Sequence, residues 1–240
     1  VFLVVFVGCA GTETGNPSFD GTMGYDAYSS APARVALRAA PSSSSDSAPV
    51  RVEAAWLVLG NVSFLGADEC DGKGELGHAK GLGAGDHVGS QAPTTPFELS
   101  PAKLCGVRLP LETRSDVTGA APPELSGHSI LITGTRDDLP FRIASAARPD
   151  VLLTAAKDVE LDAAHSSVLI GFDVAAWLDE IDWPGVTTDD DETLTIDSEH
   201  NATQLKAFDL RIAAGIALFR DADGDGLLDA DSDPIARAGE

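Results

Sequence analysis

Basic residues are scarce in this sequence. Its 240 residues hold 16 Lys and Arg against 38 Asp and Glu, a formal net charge of −22. Nucleic acids are bound by Lys and Arg that displace counterions from phosphates, so this balance argues against a nucleic-acid partner. It argues equally against adsorption of the folded part to anionic lipid headgroups. Aromatic residues make up only 6%, with a single Met, so the core must be built from Val, Leu, Ile and Ala. After Gly8 no apolar run reaches the roughly 20 residues a membrane-spanning helix needs. Catalytic signatures are lacking as well. There is no G-x-S-x-G elbow and no H-E-x-x-H. "GKGELG" and "GLGAG" do not stand between a strand and a helix, as a phosphate-cradling loop would. Ser126-Gly127-His128 and His165-Ser166 place hydroxyls close to imidazoles, but adjacent residues on a strand face opposite ways.

What the chain does have is a strand-sized pattern. "VRVEAAWLVLGNVSFLG" sets Val50, Val52, Ala54, Trp56 and Val58 at period two, a half-buried strand. Short apolar stretches then recur, among them "PFELS", "CGVRLPLE", "SILITGT", "PFRIAS", "SSVLIGFD" and "FDLRIAAGIALFR". Pro, Gly, Asp and Ser separate them. Many short strands with turn residues between them predict an all-β sandwich, immunoglobulin-like or prealbumin-like, over residues 33–240. One short helix interrupts it. "DVAAWLDEIDWPG" puts Val174, Trp177, Leu178 and Ile181 on one face, with Asp173 as N-cap and Pro184-Gly185 as terminator. Trp177 and Trp183 are read as core rather than as a ligand platform.

The sequence begins "VFLVVFVGCAGTETGNP". Seven apolar residues followed by small ones have the length of a secretory signal's apolar region, without its basic start. Phe6-Val7-Gly8-Cys9 resembles the lipobox of bacterial lipoproteins. Phe6 and Val7 depart from the commonest residues of that motif. The resemblance implies that residues 1–8 are the remnant of a signal peptide and that Cys9 carries the lipid. Each buried acyl CH₂ then contributes about 0.8 kcal/mol to membrane attachment. Ala10 stands where Asp would retain such a protein at the inner membrane, which points to the outer membrane. Residues 9–32, rich in Gly, Ser, Thr, Pro and Asp, read as a flexible linker. The "GTETGNP" start, and the later order of Cys loop, "PFELS", "WL" helix and Asp-rich loop, look like myxobacterial envelope lipoproteins. That likeness implies no particular activity.

"DADGDGLLDADSD", residues 221–233, is the strongest ligand pattern. Asp221, Asp223, Asp225, Gly226 and Asp229 occupy positions 1, 3, 5, 6 and 9 of a calcium loop, and the Leu227 carbonyl would supply position 7. Position 12 is Ser232 rather than Glu, so Asp233 is the remaining candidate. The loop resembles those of dockerin-type, thrombospondin-type-3 and adhesin repeats, which implies Ca²⁺. Asp189, Asp190, Asp191 and Glu192 form a second acidic run, read as a solvated loop. Residues 67–95 are Gly-rich and read as a long exposed loop bracketed by Cys70 and Cys105, which would pair as a disulfide outside the cytoplasm. A soft-metal cluster of Cys70, His78 and His87 matches no zinc spacing.

The function expected from these features is that of a lipid-anchored, non-catalytic envelope module, tethered through Cys9 and binding a protein or glycan. The alternative is an envelope hydrolase using carboxylates near loop 67–95. Expressed behind a complete signal peptide, the protein should incorporate a labelled fatty acid, and Cys9→Ala should abolish the label. A variant that still carries label rules out Cys9 as the anchor.

Overall fold

The structure is a computed structural model that describes residues 18–32, 34–37, 49–66, 74–88, 93–117, 119–229 and 232–239. The signal remnant at 1–8, Cys9 and Cys70 lie outside the described residues. In chain order the strands are β1 (Phe19–Tyr28), β2 (Val35–Leu37), β3 (Val50–Leu59), β4 (Val62–Gly66), β5 (Glu75–Ala79), β6 (Gly83–Asp86), β7 (Thr94–Leu99), β8 (Ala102–Pro110), β9 (Ile130–Arg136), β10 (Leu139–Ser145), β11 (Asp150–Leu161), β12 (Ser167–Asp173), β13 (Leu194–Ile196), β14 (Ile216–Arg220) and β15 (Ala236–Ala238). Helix α1 (Val174–Leu178) follows β12, and α2 (Ala202–Arg211) precedes β14. The fold is all-β and sandwich-like, as the strand pattern predicts.

Nine strands form the larger sheet in the order β5-β4-β8-β11-β15-β14-β12-β1-β7. The smaller sheet runs β13-β10-β9-β3-β2, with β6 sharing the edge of β3. One core lies between them. Met23, Tyr25, Phe64, Leu104 and Ile170 from the larger sheet join Val52, Leu57, Ile132 and Ile143 from the smaller. Each fully buried side chain of this size contributes about 1.5–3 kcal/mol. The edge strands β5 and β7 also approach each other, with Gly77 of β5 set against Leu99 of β7. Curling of this kind protects two edges that would otherwise be open to other chains.

Several expectations from the sequence are corrected. Residues 19–28 are not linker but β1, a strand paired in parallel with β12 and antiparallel with β7. Gly21, Gly24, Asp20 and Asp26 hide its period. Yet an added Cβ at Gly21 would stand 2.3 Å from the Phe97 ring, so glycine is required where that ring crosses. Residues 67–95 are not one long exposed loop. They contain β5 and β6, built largely from Gly and polar residues, which pair with β4 and β3. Within β3 the register shifts between Val52 and Ala54. The bulge turns Ala55 and Leu57 inward and leaves Trp56 half-buried on the outer face, against Val58, Leu125 and Leu131. "FDLRIAAGIALFR" is half helix: α2 ends at Arg211 and only Ile216–Arg220 is strand. The predicted helix does start with the Asp173 carboxylate accepting from Ala176 N–H. It spans only five residues and stops before Pro184. Trp177 is fully buried, with its indole N–H donating to the Ile212 carbonyl at 2.9 Å.

His87 stands at a seam between the sheets. Its N–H donates to Ala55 O of β3, and its C=O accepts from Ala27 N of β1. The imidazole is buried against Phe172 and Tyr25, and Nε2 has no hydrogen-bond partner. Burial pushes its pKa from 6.5 down to about 4. The folded chain therefore holds His87 neutral while the unfolded chain protonates it below pH 6.5. Stability falls as pH drops across that interval, by about 1.4 kcal/mol per pH unit and about 3 kcal/mol in all. Urea unfolding at neutral pH and near pH 4 should show this loss, over and above that of a His87→Leu variant. Equal acid losses in the two proteins would remove the assignment.

Candidate metal centre

The Asp-rich segment is the connection of a β-hairpin. It leaves β14 at Arg220 and returns as β15, which pairs antiparallel with β14. Between them the chain crosses the outer face of the larger sheet. Asp221 N–H donates to Ser167 O at the start of β12. Gly226 then lies on Gly24 of β1, where an added Cβ would come within 3.1 Å of Gly226 Cα. Leu228 follows, packed with Leu169, Ala217, Phe219 and Tyr28 in a small apolar cluster outside the main core.

Aspartates hold the turn in shape. The Asp221 carboxylate accepts from Gly224 N–H at 2.8 Å and from Gly226 N–H at 3.1 Å. Asp223 accepts from Asp225 N–H, and Asp225 from Leu227 N–H. Gly224 and Gly226 have φ of +76° and +78°, the left-handed region that favours glycine. This local geometry brings one oxygen each from Asp221, Asp223 and Asp225 within 4.8 Å of one another. Among the described residues no other three His, Cys, Asp or Glu side chains converge in this way. Calcium–oxygen bonds of about 2.3–2.6 Å allow two ligands on one ion to stand up to about 5 Å apart, so the spacing fits a single Ca²⁺. Asp221 is buried while Asp223 and Asp225 are exposed. Burial pushes the Asp221 carboxyl above its ordinary value, and the charges of Asp223 and Asp225 push the same way.

The structure thus brings together three of the predicted ligands. Asp229 and Asp233 are not part of the converging group, and the chain between them includes residues outside those described. One residue close to the site escaped the sequence reading. Asp26 of β1 is buried under the loop, and its carboxylate accepts from Leu228 N–H at 3.1 Å. Burial raises its pKa to about 6, with Asp225 adding to the effect. Its place within an apparent linker concealed it, since no local pattern links residue 26 to residue 228.

Other predicted features lie apart. His78 sits exposed on β5 beside Glu75, whereas His87 is buried at the seam. Asp86, near the same segment, accepts from Ala55 N–H and Val88 N–H. His128 Nδ1 lies on the Glu124 carbonyl and Ser126 donates to the Ser115 carbonyl, so the two do not form a pair. Cys105 is buried in β8 with its sulfur 2.9 Å from Gly66 O, where the chain enters the segment holding Cys70. Compared with protein-family models, curated proteins and solved structures, the chain has no match.

Gly24→Ala tests the seating of the loop. The new methyl would stand 3.1 Å from Gly226 Cα and 3.2 Å from Gly226 O. Gly226 must then give by a few tenths of an ångström, and with backbone pressed on backbone the overpacking is expected to cost about 1–3 kcal/mol. Chemical denaturation should report that loss. An unchanged midpoint would mean the loop does not rest on β1.

Proposed function

We propose that the chain is a lipid-anchored, non-catalytic module of a bacterial cell envelope, attached through Cys9 at the outer membrane. Its Asp221–Asp233 loop is stabilised by Ca²⁺, and the folded part presents a binding surface for a protein or glycan. The observation that carries the cation is the convergence of Asp221, Asp223 and Asp225 on one point. Three carboxylates at that spacing repel one another, and a divalent ion replaces repulsion by attraction. The seat of the loop on β1 and β12 supports a structural role: an ion there would fasten the β14–β15 connection to these two strands of the larger sheet. In the same reading Cys70 and Cys105 pair, tying down the segment after β4.

Calcium modules outside cells bind at about 10⁻⁴–10⁻³ M, so the effect appears at millimolar ion. With Kd near 1 mM, about 10 mM Ca²⁺ should raise unfolding free energy by about 1.4 kcal/mol. The Asp223→Asn/Asp225→Asn double variant should lose that gain. Titration calorimetry and melting with and without Ca²⁺ give both readings. No heat and no melting shift at millimolar Ca²⁺ would remove the ion from the proposal.

A further inference from the structure

On the far side of β14 the larger sheet opens into a cavity. β11 leaves its register with β8 after Thr154 and regains it at Val159. The residues between are pushed out of the ladder, and β15 pairs only as far as Ala155. The space behind this bulge is about 580 Å³, within the roughly 300–1,000 Å³ of small-ligand sites.

Its charge runs against that of the chain. Of the ten lining residues, three are basic (Lys103, Lys157 and Arg220) and two acidic (Asp158 and Glu160). The whole sequence has 16 basic to 38 acidic. Outside the cavity, Arg34, Arg108, Arg136, Arg142 and Arg211 sit beside a carboxylate, while Lys80, Arg114, Arg148, Lys206 and Arg237 have no ion pair among the described residues. Among the described residues, none of the three cavity cations makes an ion pair. Glu160 stands opposite Lys103 across the β11–β8 ladder, so three cations and two carboxylates leave the cavity with a small positive surplus in a strongly acidic chain.

Arg220 states the chemistry more closely. Its Nη2 donates to the Glu160 carbonyl at 2.7 Å. Its Nη1 is buried and has no hydrogen-bond partner. A buried charged donor left unused is costly, so the Arg220 side chain, which lines the cavity, is short of an acceptor. A guanidinium fork suits a carboxylate or a phosphate. The two rim carboxylates decide between them: they repel a dianion, but they accept hydrogen bonds from hydroxyls. Pro234 and Ile235 add an apolar wall on which a sugar ring can lie.

We propose that this cavity binds one carboxylate-bearing sugar residue of a glycan. Arg220 and Lys157 hold the carboxylate, and Asp158 and Glu160 accept from the ring hydroxyls. The inference deepens the reading of the chain as an envelope binding module and uses neither the lipid anchor nor calcium.

Glucuronate, glucose and inorganic phosphate are the probes, titrated into the purified protein with calorimetric or NMR detection, once in Ca²⁺ and once in chelator. Glucuronate should saturate, and glucose and phosphate should each bind at least about tenfold more weakly. Arg220→Gln should weaken glucuronate at least about tenfold. Lys157→Gln, at an exposed position, keeps the test open if the first variant does not fold, and should weaken binding several-fold. No glucuronate binding at about 10 mM overturns the proposal. So does an affinity that both variants leave unchanged. Phosphate binding as tightly as glucuronate overturns the sugar assignment. Loss of glucuronate binding alongside an intact Cys9 label and calcium response removes this inference alone. Glucuronate binding without label removes only the anchor.

Discussion

The close approach of β1 to its neighbours is the constraint on which the rest of this molecule depends. β1 enters the larger sheet between β12 and β7 and is thin at two places. Gly21 admits the Phe97 ring on the inner face, and Gly24 admits the backbone of Gly226 on the outer. Between and beyond them Met23, Tyr25 and Ala27 point into the common core. Past the end of β7, β1 is stitched by Tyr25 and Ala27 to the Pro93 and His87 carbonyls. His87 also bonds β3, so one strand touches the core, the seam between sheets and the Asp-rich loop. A side chain at either glycine would force the sheet or the loop to move.

The acid surplus has a structural use that net charge alone conceals. Asp162, Asp189, Asp197 and Asp221 each accept backbone N–H bonds from residues two to five positions on, and so fix turns. Asp189, within the second acidic run, also accepts from the Thr195 hydroxyl, and that bond is the main cause of its lowered pKa. Short carboxylates suit this role because they reach their own backbone without crossing to another element. In the loop after β14 the same turn chemistry recurs at three alternate positions, and convergence of oxygens is the by-product. Turn formation and the convergence of oxygens therefore draw on the same residues, which is why the Asp pattern was readable without knowing the fold. Across β14, the bulge of β11 does the reverse and gathers cations that the sequence scatters over more than one hundred positions, from Lys103 to Arg220.

The all-β class, the β3 strand, the Asp173 cap, the core role of Trp177 and the convergence of Asp221, Asp223 and Asp225 are written in local sequence. Period-two apolar runs, a capping carboxylate and a D-x-D-x-D-G spacing all act over a few residues, where chain connectivity fixes geometry. What only the tertiary structure decided acts between distant residues. It made a strand of residues 19–28, because their glycines are filled by Phe97 and Gly226 rather than by their own side chains. It paired the polar, Gly-rich β5 and β6 through backbone groups that every sequence carries. It turned Trp56 outward by a bulge, buried His87 between sheets, and set Asp26 beneath Leu228. Local pattern reports what a residue and its near neighbours prefer; which surfaces meet is set by packing across the whole chain.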